Sequence, residues 1–272
     1  QCPAILQPKY RVHEVVRDGQ GDQRVVHDSR KNLMHMFHEI FHDLKNHVLT
    51  PYNMVEALGW FFGWHLIEKT FFPGVYRKWQ KRFQRAVIPP VATKMTADKD
   101  SSGLGMTSDE HNASIEAALR TMGLTDNFAR LVIVAGHTSL SDNNPYEAAL
   151  NCGACGGNSG EPNARLFAAI ANKPEVREHL AKNGIVVPED THFIGAVHNT
   201  TTDALDLYDT EDVPETHKED VEQLRKDLHK AALQNNLERC IKLPGARNDL
   251  SLAKAAEEVC RRSGDWSETR PE

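Results

Sequence analysis

The sequence predicts an α/β fold with a parallel-sheet core and large helical additions, on three observations. Leu131-Val132-Ile133-Val134 is a continuous aliphatic run closing in Ala135-Gly136-His137, the composition of a strand buried on both faces. Residues 191–197 form a second such run, followed by His198 and the polar turn Asn199-Thr200-Thr201-Thr202-Asp203. Between them lie two helices, 163–171 behind Pro162 and 175–183 closed by Gly184, the order of a crossover unit joining parallel strands. Each strand places a histidine at its carboxyl end, where open α/β sheets hold their ligands.

The other elements follow in chain order. Residues 10–16 and 24–27 favour strand and read as a short strand or hairpin. Ser29 offers a cap to a helix over 30–48, where Leu33, Met36, Phe37, Ile40, Phe41 and Leu44 make an apolar stripe. Residues 54–72 are the most apolar stretch, but Glu56, His65, Glu68 and Lys69 interrupt it. A spanning helix needs about 20 mainly apolar residues, so this segment reads as a buried helical hairpin, with a surface docking on a membrane partner as the alternative. Arg77, Lys78, Lys81, Arg82 and Arg85 come next on a helix and read as a solvated face, with an anionic-lipid or partner contact as the alternative. Residues 95–110 are a Gly, Ser and Asp-rich loop or boundary, followed by a helix over 109–122 and a short one near Asp126. From 216 to 262 the chain is helical and highly charged, with a break at Pro244-Gly245. Three regions result: 1–108, mostly helical; 109–215, the α/β part; 216–272, a charged helical region.

Composition narrows the class. With 40% hydrophobic and 26% charged residues the chain is globular rather than disordered. The net charge of −6 (32 basic against 38 acidic residues) argues against nucleic acid as a partner. Five cysteines in 272 residues are too few, and odd in number, for a disulfide framework, which favours a reducing compartment. The chain opens at Gln1 without a Met or a leader and stops at Glu272, so it is expected to be an internal fragment of a longer protein.

The sharpest local feature is Asn151-Cys152-Gly153-Ala154-Cys155-Gly156-Gly157, fifteen residues after His137. Spacing alone leaves four readings open: a redox disulfide, half of a zinc knuckle, one cysteine joined to a distant histidine on zinc, or two inert thiols. The glycine-rich loop running into a helix with Pro162 at its start favours a thiolate or small anion. A thiolate beside a strand-end imidazole would make good zinc ligands. His35, His38 and His42 share one helix face, but beside a Met/Phe stripe they are not read as a metal site.

Gly136-His137, Asn144-Pro145-Tyr146-Glu147, Cys152-Gly153-Ala154-Cys155-Gly156-Gly157, Pro162-Asn163-Ala164-Arg165 and His198-Asn199-Thr200-Thr201-Thr202-Asp203 closely resemble the DabA family, subunits of a bacterial inorganic-carbon pump. The opening Gln1-Cys2-Pro3, the stretch Asp265-Trp266-Ser267 and the closing Arg270-Pro271-Glu272 extend the resemblance nearly end to end. That family resembles the β-class carbonic anhydrases, which implies a core of their kind and a zinc held by two Cys, one His and one Asp. Carried over, His137 and Cys152 are metal ligands. The other Cys and the Asp belong to a Cys-x-Asp-x-Arg stretch, and no cysteine here has Asp two places later. Those ligands are expected N-terminal to Gln1, so this chain alone should be inactive.

The resemblance further implies zinc-dependent hydration of CO2 to bicarbonate, coupled to a proton-conducting membrane subunit, DabB. It places the protein at the periphery of the inner membrane, on the cytoplasmic face. The apolar 54–72 segment and its basic successor are then candidates for the docking face. Gly156, Gly157, His198 and Asp203 are candidates for holding an anion or orienting the metal site; His198 and Asp203, like Arg165, also suit purely structural roles. Cys155 is expected to be a structural thiol. The alternatives are a thiol–disulfide protein using Cys152 and Cys155, and a helical binding module for which the α/β part is scaffold.

Overall fold

The computed structural model describes residues 13–16, 21–88, 91–99, 105–141, 143–144, 146–247 and 249–262. The sequence motifs at 1–3, 145, 265–267 and 270–272, and part of the loop expected over 95–110, lie outside them.

The N-terminal region is helical. Strand β1 (His13–Val16) does not form a local hairpin: it pairs antiparallel with β2 (Thr93–Thr96), across helices α1 (Gly21–Asn46), α2 (Thr50–Phe71) and α3 (Pro73–Val87). Residues 24–27, expected as strand, are inside α1. The apolar 54–72 segment is one unbroken helix rather than a hairpin. Gly59 and Gly63 stay helical, and the first breaker, Pro73, opens α3 instead. Nor is the segment buried: no residue of α2 or α3 is fully covered, and Trp60 is 77% exposed. The three helices touch through Phe41 on Phe62, Tyr76 on His65, and Arg30 Nη1, which donates to the Val87 carbonyl at 2.9 Å.

Helix α4 (Ser108–Met122) starts in a reciprocal cap: Glu110 N donates to Thr107 Oγ1 and Thr107 N to the Glu110 carboxylate. The expected short helix near Asp126 is a turn. Strand β3 (Leu131–Thr138) leads through the short helix α5 (Glu147–Leu150) to α6 (Glu161–Ala171) and α7 (Pro174–Lys182). Strand β4 (His192–Asn199) then pairs parallel with β3 and puts His198 opposite His137. Strand β5 (Leu205–Leu207) returns antiparallel on the far side of β4. Helices α8 (Lys218–Lys242) and α9 (Leu252–Arg262) close the chain.

The α/β class therefore holds. The parallel core is, however, a single parallel pair in a mixed three-stranded sheet, because the five-residue connection 200–204 can return the chain only antiparallel. A carbonic-anhydrase-like core is not established by it. The central strand β4 is buried along residues 193–197, whereas edge strand β3 is half-exposed throughout.

Phe193 lies between Phe128 and Phe167 in a core shared with Ile115 and Leu119 of α4, Leu166 and Ile170 of α6, and Val176 and Leu180 of α7. Met95, Ala97 and Met106 belong to the same core, which ties β2 to the α/β part. On the opposite face Ile194 packs on Val213 and Val221, which draws the start of α8 into it.

Arg165 joins these pieces. Only 7% exposed, it donates to both oxygens of Asp209 (2.8 and 2.9 Å), to Glu161 (3.1 Å) and to the Thr93 carbonyl (3.0 Å). Burial opposes its charge, but Asp209 and Glu161 outweigh that and hold it protonated. Arg165→Lys keeps the charge and loses the fork, so it should cost about 1–3 kcal/mol in urea unfolding.

His111 is buried with Nε2 unpartnered, and His192 is half-buried; burial holds both below the ordinary imidazole value of 6.5. As pH falls through 6.5 the unfolded chain takes up these protons before the folded one, so stability declines. Denaturant midpoints between pH 7.5 and 5.5 (roughly the titration range of histidine) should fall, and His111→Gln should flatten the slope.

Candidate functional site

The carboxyl end of β3 gathers the residues that the sequence singled out. His137 is its penultimate residue, and Thr138 ties it to the next strand by accepting from Thr200 N at 2.9 Å. Asn151 then fastens the cysteine loop to the same point. Its Oδ1 accepts from Ser139 N (2.8 Å), Thr138 Oγ1 (3.1 Å) and Ser139 Oγ (3.3 Å). Cys152 is the next residue, so this clamp sets its place relative to His137.

Inside the loop, Cys152 N donates to Asn158 O (3.1 Å), while the Cys152 carbonyl accepts from Cys155 N (3.0 Å) and Gly157 N (3.1 Å). The far end is pinned by Gly160 N, which donates to the His137 carbonyl at 2.9 Å. That contact needs glycine on both sides: a Cβ on Gly136 would stand 2.4 Å from the Gly160 oxygen.

His137 and Cys152 both line a cavity of about 800 Å³ between α4, α6 and the outer edge of β3. Its walls are largely apolar, with Ile115, Val134, Leu166, Phe167 and Ile170 among them. An imidazole nitrogen and a thiol at one wall of an apolar chamber suit a metal beside a nonpolar small molecule, but they are two donors. Among the described residues no group of three or more His, Cys, Asp or Glu could hold a metal ion.

Cys155 is 2% exposed, and Asn163 Nδ2 donates to its sulfur at 3.1 Å, the arrangement expected of a structural thiol. Both cysteines are free thiols, and nothing in this arrangement supports the thiol–disulfide alternative. The histidines at 35, 38 and 42 are exposed on α1.

Gly156 and Gly157 lie at the tight turn of this loop. Both adopt left-handed backbone (φ 65° and 79°), but their amides donate to the carbonyls of Gly153 and Cys152. Donors taken up inside the loop are not available to an anion.

His198 and Asp203 stand on the neighbouring strand end rather than in the cavity wall. His198 Nε2 is 3.3 Å from Asp203 Oδ1, and Asp203 Oδ2 accepts from Arg239 Nη1 at 2.7 Å. Arg239 also donates to the carbonyls of Thr200 and Thr201, both at 3.1 Å. The sequence assigned no role to Arg239 or to Asn151. An asparagine before a cysteine reads as ordinary loop, and Arg239 reaches the site from α8, 36 positions beyond Asp203. A second, more polar cavity of about 510 Å³ lies toward the amino end of β4. Three of its cations are matched locally: Arg165 by Asp209, Lys173 by Asp98, and Arg177 by Asn172 and the Thr191 carbonyl.

An imidazole and a thiol thus line an apolar chamber near the carboxyl end of a parallel strand pair, the place where open α/β sheets hold their ligands. Comparison with known proteins narrows this. The chain belongs to the DabA family: the model described as "Probable inorganic carbon transporter subunit DabA" matches residues 1–272. It is 41% identical over 273 residues to the protein of that name from Legionella pneumophila (strain Corby), covering all of this chain and 35% of the relative. The Salinibacter ruber and Hydrogenobaculum relatives of the same name are 37% and 32% identical, again over all of this chain and 34% of theirs. The chain thus spans about a third of the length of the curated relatives it matches. No solved structure matches it.

Asn151→Ala removes the acceptor shared by Thr138 and Ser139, so it should destabilise the protein by roughly 1–3 kcal/mol. In the same variant the Cys152 thiol, freed from its place at the strand end, should label faster with a thiol reagent; peptide mapping of the label checks this.

Proposed function

We propose that this chain is the part of an inorganic-carbon uptake subunit that carries one half of a zinc centre for hydrating CO2 to bicarbonate. The observation that carries the reading is the convergence of His137 and Cys152 on one largely apolar cavity, in a chain of the DabA family. The names of the relatives, inorganic carbon transporter subunits, support the substrate class.

His137 would contribute an imidazole nitrogen and Cys152 a thiolate, two of the four donors of a tetrahedral site. The other two, a Cys and an Asp, would come from the rest of a longer protein, for which relatives nearly three times this length leave room. A place for that part is open: among the described residues no strand pairs with the outer edge of β3, and residues 134–137 of that edge line the cavity. When bound, zinc supplies an acidified water, hydroxide near neutral pH.

The remaining roles belong to this chain. Val134, Phe167 and Ile170 offer CO2 a nonpolar wall. His198, held at Nε2 by Asp203 and backed by Arg239, makes a carboxylate–imidazole pair that can accept a proton and pass it on. Arg239 holds the Asp203 carboxylate in place for that purpose. The reading includes a membrane partner of the DabB kind that moves a cation, and a peripheral position at the cytoplasmic face of the inner membrane.

Metal analysis by mass spectrometry on the full-length protein tests it. One zinc per chain is expected, lost in His137→Ala and Cys152→Ser and kept in Cys155→Ser, while the 272-residue chain alone retains little. A full-length protein without zinc, or one in which His137→Ala leaves the zinc in place, overturns the reading.

A further inference from the structure

We propose that α3 docks flat on an anionic lipid surface, its aromatic face inserted among the headgroups and its basic face against their phosphates. The proposal rests on the peripheral location inferred above and names the segment and lipid chemistry responsible for it.

The fifteen residues of α3 carry Arg77, Lys78, Lys81, Arg82 and Arg85 and no acidic residue. At roughly 100° per residue, Val75, Tyr76, Trp79, Phe83, Ala86 and Val87 gather in about a third of the circumference, with Arg77, Lys78, Lys81 and Arg85 across from them and Arg82 at the border of the apolar face. The apolar side is not used up by the fold. Val75 is 66% exposed, Trp79 62% and Phe83 49%, the last two stacked with ring centroids 5.6 Å apart.

Lys78, Lys81, Arg82 and Arg85 have no ion pair among the described residues, in a chain whose net charge is −6. On the apolar side Tyr76 turns inward, its ring edge-on to His65 at 4.9 Å with Lys69 Nζ 5.8 Å from its centroid. That contact fixes α3 against α2 and leaves the Trp79 side outward. At the corner between the two helices Phe71 and Phe72 are 71% and 59% exposed, extending the apolar surface.

A helix with aromatic residues on one face and Lys and Arg on the other lies in the plane of a membrane interface. Its long basic side chains reach up to the headgroups while their stems cover apolar surface. No described helix is long and apolar enough to cross a membrane, so docking in the plane is the mode open to α3. An acidic protein surface would use the cations but would leave Val75, Trp79 and Phe83 without a role unless it also carried a matching groove.

The test is co-sedimentation of the full-length protein, purified without membrane partners, with vesicles of phosphatidylcholine alone or mixed with phosphatidylglycerol. Binding is expected only to the mixed vesicles and should weaken with added salt. Combined Lys78→Glu, Lys81→Glu, Arg82→Glu and Arg85→Glu should lower the partition at least about tenfold. Trp79→Ser with Phe83→Ser, at unchanged charge, should lower it several-fold, with circular dichroism confirming intact fold in both variants.

Equal binding to both vesicle types, no binding to the mixed ones, or unchanged binding by either variant overturns the proposal. Loss of binding to an acidic partner protein with unchanged vesicle binding in the charge variant likewise assigns α3 to that partner instead. Zinc content is read separately, so failure here leaves the metal reading standing, and failure of the metal reading leaves lipid docking to be judged on vesicles alone.

Discussion

Arg165 is the interaction on which the α/β unit turns. It sits on α6, the helix that covers the sheet, and one guanidinium fork reaches Asp209 beyond β5, Glu161 in the first turn of its own helix and the carbonyl of Thr93 in β2. Two segments far apart in the chain are thereby held to a single helix. A buried cation is costly unless its donors are matched, and here the match is nearly complete. The ring of Tyr208, 5.4 Å away, covers the guanidinium and gives up its own proton less readily, with burial and the nearby Glu161 charge pushing it up to about 12.

The same device recurs at the other end of the sheet. Arg239 holds Asp203 as Arg165 holds Asp209, and both aspartates adopt left-handed backbone, φ 58° and 52°. For a residue with a Cβ this conformation costs about 1 kcal/mol, which a charge-assisted hydrogen bond can offset. Each arginine thus stabilises a sharp turn in the chain: one just after β4, which brings Asp203 to His198, and one just after β5, which turns the chain toward α8. The candidate site depends on the first of these and the sheet packing on the second.

What the sequence made legible was chemistry with local causes. The aliphatic run 131–134 and its partner at 191–197 announced β3 and β4, because an unbroken apolar run marks a strand with two covered faces; β4 meets that, whereas β3 is half-exposed. His137, Cys152 and the crossover helices followed from those strands. Strand β5 was not visible: three residues, Leu-Asp-Leu, pair only because the turn before them folds back. The start of α1 was hidden by Gly21 and Asp22, which read as loop. The 54–72 segment misled for a different reason. Apolarity says that a surface will be covered, not by what, and within the described residues α2 remains open. Gly156 and Gly157 were rightly placed in a tight turn, but which way their amides point is decided by the Cys152 carbonyl at its centre.

The two cysteines show how such a turn can divide like residues into unlike roles. A dithiol redox couple needs both sulfurs reachable in sequence by the same partner. Here the short helical turn over 153–155 carries the second sulfur under the loop, where Asn163 donates to it, while the first stays at the cavity wall beside the end of β3. The loop is drawn closed around the Cys152 carbonyl and clamped from outside by Asn151, so placing Cys152 beside His137 and burying Cys155 are a single structural event. The motif thus holds one half-buried thiol at the cavity wall and one packed sulfur, an asymmetry that works against a disulfide.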